Sequence, residues 1–214
     1  MDGKAEMNIK KFQKRTAYGA DKENKKNNFD LLNSKYCKVH QTIIAGDSIT
    51  ELFNMELFDE YTEKTGLRVY NRGISGDTSD RFLERFSSNI LALKPSNLVL
   101  LIGTNDLSLK TDVSYVLENI RKIVEMTKNE LPDTKIILQS VYPVDFLNKS
   151  KNRKIVELNA KLKVFALKES IIYLDIYSLL LDKKGGFNKE YTYDGLHPNA
   201  KGFEIAASQI IENL

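Results

Sequence analysis

Five short runs rich in branched aliphatic residues decide what this chain can fold into. They are 42–45 (TIIA), 67–70 (LRVY), 98–102 (LVLLI), 135–138 (KIIL) and 171–174 (IIYL). Near-continuous apolar runs of this length suit strands covered on both faces, as in a parallel sheet. Amphipathic stretches lie between them. Val113, Val116, Leu117, Ile120, Ile123 and Val124 form one helical stripe, with Asp112 placed to cap it. Ile155, Leu158, Leu162 and Phe165 form a second, and Phe82, Phe86, Ile90 and Leu93 a third that stops before Pro95. Ala200, Phe203, Ala207, Ile210, Ile211 and Leu214 form the last, with Pro198 near the first turn. Strands that alternate with helices predict an α/β protein: three layers, α/β/α, around a five-stranded parallel sheet with right-handed crossovers.

The rest of the chain narrows the chemistry. A length of 214 residues suits one domain, and the text shows neither an internal repeat nor an interdomain linker. One cysteine, Cys37, excludes a disulfide scaffold, and with only two histidines the usual zinc sets cannot be filled. No apolar run approaches the roughly 18 residues that span a membrane.

Residues 1–38 read as a basic amino-terminal extension ahead of a domain over 39–214. The extension holds ten Lys/Arg against five Asp/Glu, whereas 39–214 hold 22 against 24, so the net +3 belongs to the extension alone. Asp21, Glu23 and Asp30 interrupt its cations, which argues against a nucleic-acid-binding arm, because such tails carry blocks of one sign. Met7, Phe12, Phe29, Leu31 and Leu32 offer apolar surface to bury. The segment therefore reads as a partly helical cover on the domain, with a flexible basic arm as the other reading. No apolar core of about 7–15 residues follows Met1, so no secretory signal is expected and the expected location is cytoplasmic.

In parallel α/β sheets ligands bind beyond the carboxyl ends of the strands. Gly46-Asp47-Ser48-Ile49-Thr50 follows the first run. Ser48 there is a candidate nucleophile, though Ser48 with Glu51 also reads as a capping box. Asn71-Arg72-Gly73-Ile74-Ser75-Gly76 follows the second, where Gly73 lets backbone approach a ligand or simply makes a turn. Gly103-Thr104-Asn105-Asp106 follows the third, and the Asn105 amide either donates to a developing oxyanion or closes an Asx turn. After the fifth come Tyr193-Asp194-Gly195-Leu196-His197-Pro198-Asn199, with a histidine three residues from an aspartate. The other histidine, His40, precedes a strand and has no such neighbours. Together the four segments supply an acyl-transfer apparatus. Ser48 is the nucleophile, His197 the base and Asp194 its orienter, with an oxyanion hole from the N–H groups of Ser48 and Gly73 and the Asn105 amide.

These blocks resemble those of the SGNH hydrolases, also called GDSL-type esterases and lipases, whose name gives the Ser, Gly, Asn and His. GDSIT resembles their first block, NRGISGDTSDRF the second, GTND the third and YDGLHPNAKGF the fifth. The similarity covers roughly residues 39–214 in the expected order, with Ile49 where the family name has Leu. Among relatives the blocks look most similar to the bacterial group resembling platelet-activating-factor acetylhydrolase. The resemblance implies a flavodoxin-like SGNH fold, no metal and no organic cofactor.

The expected activity is hydrolysis of short acyl esters, acetyl esters above all, through an acyl-enzyme. The expected partner is a small-molecule ester of a carbohydrate, a lipid headgroup or a small alcohol. Nucleic acid is not expected; a homodimer is the one assembly considered, since dimers are common among soluble proteins, although no interface can be read from the residues. The same triad would serve an acyltransferase or thioesterase, and a catalytically silent interaction protein is a further, less favoured reading. Nucleotide binding is disfavoured because the G-x-G-x-x-G signature is missing after the first run. Ile74, Leu107, Tyr142, Val144 and Leu196 are candidates to line an acyl pocket, with core packing as the alternative for each.

Overall fold

A computed structural model describes residues 21–145 and 149–214. Its strands are β1 (Thr42–Gly46), β2 (Val69–Gly73), β3 (Asn97–Leu101), β4 (Lys135–Gln139) and β5 (Ile172–Leu174). Every pair is parallel, in the order β2-β1-β3-β4-β5. That order has its switch point at β1, where the connections diverge and a crevice opens beyond the strand ends.

The apolar runs are continuous because both faces are covered. Ile43, Ala45, Leu98, Leu100, Ile136 and Leu138 face one core, and the intervening Ile44, Val99, Leu101 and Ile137 face another. Helices α4 (Ser79–Asn89), α6 (Val113–Glu130) and α7 (Lys149–Glu169) cover the first face with Phe82, Phe86, Val116, Ile120, Ile155 and Leu158. The second face is covered by α2 (Ser48–Glu51), a 3₁₀ turn at Met55–Phe58, α8 (Ile176–Leu179) and α9 (Ala200–Ile211), where Phe53 packs 4.9 Å from Phe203. Short helices α3 (Asp59–Thr65) and α5 (Thr104–Ser108) complete the connections. Among the described residues no helix is long and apolar enough to cross a membrane.

Three local expectations change. The second strand lies two residues later than its apolar run, so Asn71, Arg72 and Gly73 belong to β2 and do not follow it. Asp112 occupies the cap position of α6 but makes no side-chain cap bond. Pro198 precedes the cap of α9, which is Asn199, whose side chain accepts from Gly202 N.

The amino-terminal segment is helical over 21–35, here called α1. Its attachment differs from the apolar cover expected above. Leu31 and Leu32 are exposed, and Phe29 is only half-buried. The face turned to the domain carries Lys22, Lys25, Lys26, Phe29 and Asn33, a helical spacing of mostly polar residues. Met7 and Phe12 lie outside the described residues.

Candidate active site

The carboxyl ends of β1, β2 and β3 carry Ser48, Gly73 and Asn105, and the long connection after β5 returns Asp194 and His197 to the same edge. Ser48 is the first residue of α2. The cap is not Ser48 itself but Asp47, whose Oδ1 accepts from Ile49 N at 3.0 Å. That leaves the Ser48 hydroxyl free for another partner. Its Oγ lies 2.9 Å from His197 Nε2, across 149 residues of chain.

The turn holding His197 is built on one carboxylate. Asp194 Oδ1 accepts the N–H groups of Leu196 and His197 at 2.9 and 2.7 Å, and Oδ2 sits 2.7 Å from His197 Nδ1. A carboxylate only accepts, so Nδ1 carries the proton and the Nε2 lone pair faces Ser48. Burial pushes the Asp194 carboxyl up, but the His197 N–H, the His197 ring and the Leu196 N–H together hold it below the usual range. Gly195, at φ +79°, allows the tight bend, and its carbonyl accepts Asp145 N at 2.8 Å, tying the turn to the loop that follows β4. Tyr193 stacks on the outer side of the imidazole at 6.0 Å between centroids.

Gly73 faces Gly46 across the β1–β2 ladder. A Cβ on Gly73 would lie 2.2 Å from Glu51 N, so only glycine lets β2 pass this close to α2. The Gly73 N–H donates to Asn71 Oδ1 at 2.9 Å. The Asn105 amide donates to Asp77 O at 2.9 Å and reaches Asp47 Oδ2 at 3.4 Å. Both groups therefore have acceptors within the chain, and the longer Asn105 contact is the weaker one.

Beneath these residues lies a buried polar network that the sequence did not single out. Arg85 is 3% exposed. Its Nε donates to Asp77 Oδ2 at 2.7 Å, and Nη2 donates to the carbonyls of Gly46 and Arg72 at 3.1 and 2.9 Å. Asp106 accepts from Ser79 N and Oγ, anchoring α4 beneath Asn105. The one available signal was Arg85 itself, which together with Asn89 interrupts the apolar stripe Phe82–Phe86–Ile90. Asp47 is fully buried. Burial pushes its carboxyl up to about 7; the neighbouring Asp77 and Asp106 charges add to the rise, and Ile49 N and Lys151 oppose it. Folded Asp47 thus keeps its proton up to about pH 7, whereas the unfolded carboxyl loses it near pH 4. Stability falls as pH climbs between those values and levels above them. Asp47→Asn keeps an acceptor for Ile49 but removes the titration. Its melting temperature relative to wild type is expected to rise by about 5–10 °C between pH 5 and 8; a constant difference would contradict the buried titration.

A cleft of about 560 Å³ adjoins Asn105, lined by Thr78, Asp80, Arg81, Ser108 and Thr111 with the exposed Leu109 and Tyr115. The acyl-pocket candidates are elsewhere. Leu107, Tyr142 and Val144 are buried in the two cores, Ile74 is buried outside both, against the cleft between α1 and α4 that Lys22, Lys26 and Asp77 line, and Leu196 is half-buried beside the site. His40 lies at the opposite, amino-terminal end of β1, exposed.

Sheet and site together define a class: a three-layer parallel α/β scaffold with the candidate residues gathered at the strand-order switch. The chain belongs to the GDSL-like Lipase/Acylhydrolase family, whose model matches residues 44–205. It is 31% identical over 192 residues to an N-acylneuraminate cytidylyltransferase of Escherichia coli O18:K1:H7, a match covering 86% of this chain and 45% of that protein. The chain thus spans a little under half the length of that relative. It is 24% identical over 167 residues to an acetylxylan esterase of Geobacillus stearothermophilus, covering 70% of this chain and 73% of that one. A solved structure described as a platelet activating factor from Streptococcus pneumonia covers 100% of this chain and 99% of its own, with a TM-score of 0.83 at 24% identity. At that identity the likeness bears on the fold.

Proposed function

We infer that the chain is a serine esterase that hydrolyses short acyl esters, acetyl esters above all, through an acyl-enzyme on Ser48. The hydrogen-bonded series Ser48 Oγ–His197 Nε2–Asp194, at 2.9 and 2.7 Å, carries this reading. In the first half-reaction His197 takes the Ser48 proton as Oγ attacks the ester carbonyl. The tetrahedral oxyanion replaces the present acceptors of Gly73 N–H and the Asn105 amide, and Ser48 N–H, unpaired within α2 at its first position, supplies the third donor. His197, now protonated beside Asp194, gives its proton to the leaving alcohol. Water then repeats the sequence on the acyl-enzyme and releases the acid.

The substrate reading rests on the cleft and on the relatives. Hydroxyls and charges around the cleft beside Asn105 favour a polar alcohol portion, and the burial of Ile74, Leu107, Tyr142 and Val144 favours a short acyl chain. The names of both curated relatives refer to carbohydrate chemistry, which favours an O-acetylated sugar among the candidate alcohols. Rates on p-nitrophenyl acetate, butyrate and octanoate test the acyl part. kcat/KM is expected to fall at least about 100-fold from acetate to octanoate, since a chain without a pocket gains no binding on the way to the transition state. A preference for octanoate would overturn the short-chain reading. Added alcohol acceptors separate the acyltransferase alternative, because a transferase would divert the acyl group from water to ester product.

Asn105→Ala tests the oxyanion hole. Loss of one such donor lowers turnover by about 10²–10³, with KM little changed. Wild-type turnover in this variant would remove Asn105 from the mechanism.

A further inference from the structure

Helix α1 touches the domain at residues that adjoin the proposed oxyanion donors. Arg72 directly precedes Gly73 and is 3% exposed. Its Nε and Nη2 donate to Asn33 Oδ1 at 3.2 and 2.7 Å, Nη2 reaches Cys37 Sγ at 3.0 Å, and the Phe29 ring lies 4.8 Å from the guanidinium. Phe29 and Asn33 are on α1, and Cys37 closely follows it. Among its described residues the domain itself adds the Asn71 carbonyl, at 2.8 Å from Nη1, and the Tyr70 ring. Among the described residues no carboxylate lies within ion-pair distance of Arg72. A buried charge held by neutral acceptors is sensitive to losing any of them.

Two further contacts reach the same place. Lys25 Nζ meets Glu51 Oε1 at 2.5 Å, and Glu51 Oε2 accepts Ser75 N–H at 2.5 Å. Glu51 closes the helix that Ser48 begins, and Ser75 is two residues past Gly73. One carboxylate thus joins α1, the nucleophile helix and the Gly73 loop. Lys22 Nζ lies 3.7 Å from Asp77 Oδ1, and the carbonyl of Asp77 is the acceptor that orients the Asn105 amide. Asn33 and Asn89 fix α1 to α4 as well, through Asn33 Nδ2 to the Ser88 and Asn89 carbonyls and Asn89 Nδ2 to Asp30.

We propose that α1 is a positioning element of the esterase site, setting Gly73 N–H and the Asn105 amide through Arg72, Glu51 and Asp77. The proposal rests on the esterase reading above. None of the α1 side chains touches the reacting atoms, so their effect passes through the placement of the donors. Misplacement of catalytic groups by about 1 Å costs up to about 100-fold in rate.

The test uses the full chain with Asn33→Leu and Lys25→Met, separately, and Asn33→Gln as the conservative variant that keeps both an acceptor for Arg72 and an amide donor for the Ser88 and Asn89 carbonyls. Lys25 has a partly exposed side chain, so its replacement leaves the core intact. A fluorophosphonate titrates Ser48 and counts competent sites, and turnover of p-nitrophenyl acetate is expressed per titrated site. The expected result is a loss of about 10-fold in kcat per site for Asn33→Leu and Lys25→Met, with KM within about 2-fold, and recovery to within about 2-fold in Asn33→Gln. A purely structural helix would lower the number of titrated sites and the melting temperature while leaving kcat per site unchanged. That outcome in both variants would overturn the proposal. If wild type itself neither titrates nor turns over, the esterase reading fails and takes this proposal with it.

Discussion

Ser48→Ala is expected to lower ester turnover by at least about 10⁴-fold, leaving only what binding and the oxyanion donors achieve without a nucleophile. The variant should fold as wild type does. Ser48 does not cap α2, since Asp47 does, and among the described residues its hydroxyl bonds only the His197 ring. Unchanged melting with lost turnover is therefore the pattern that separates a reacting hydroxyl from a capping one. It is read by thermal unfolding beside initial rates on p-nitrophenyl acetate. Turnover within about 10-fold of wild type would remove the serine from the chemistry.

His197→Gln is expected to cost about as much, because the base and nucleophile act as one unit. The ring is held from both sides, by Asp194 at 2.7 Å and Ser48 at 2.9 Å, and a glutamine amide cannot take the serine proton. The double variant Ser48→Ala/His197→Gln should be no slower than either single one. Additive losses would mean that the two residues act in separate steps. Asp194 makes the same argument less sharply, since its Oδ1 also builds the turn through Leu196 N and His197 N. Its replacement disturbs loop and imidazole together.

The central strands β1, β3 and β4 were legible because both their faces are covered, so the usual alternation gives way to continuous apolar runs. β2 was read two residues early for the opposite reason. It is an edge strand, and its polar Asn71 and Arg72 look like a loop until their partners on α1, α2 and α4 are known. Ser48, Gly73 and Asn105 stood out as candidates because each lies at or just past a strand end in a short block with its own turn chemistry, and Asp194 and His197 because they share one Gly/Pro turn. Asp47, Glu51, Asp77 and Arg85 did not. Their meaning arises from contacts across long stretches of chain, such as Arg85 to Gly46, 39 residues apart, and Lys25 to Glu51, 26 apart. The amino-terminal segment misled for a related reason. Its apolar residues suggested a greasy cover, yet Leu31 and Leu32 point outward and the helix is held by a lysine–asparagine face against buried charges of the domain.

A mass spectrum of the fluorophosphonate-treated chain tests the central claim most directly. Attack by an activated serine on phosphorus leaves one covalent adduct, and peptide mapping assigns it to a residue. The account predicts a single adduct on Ser48, formed slowly or not at all when His197 is replaced by Gln. An unlabelled wild-type protein, or an adduct on any other residue, would contradict it.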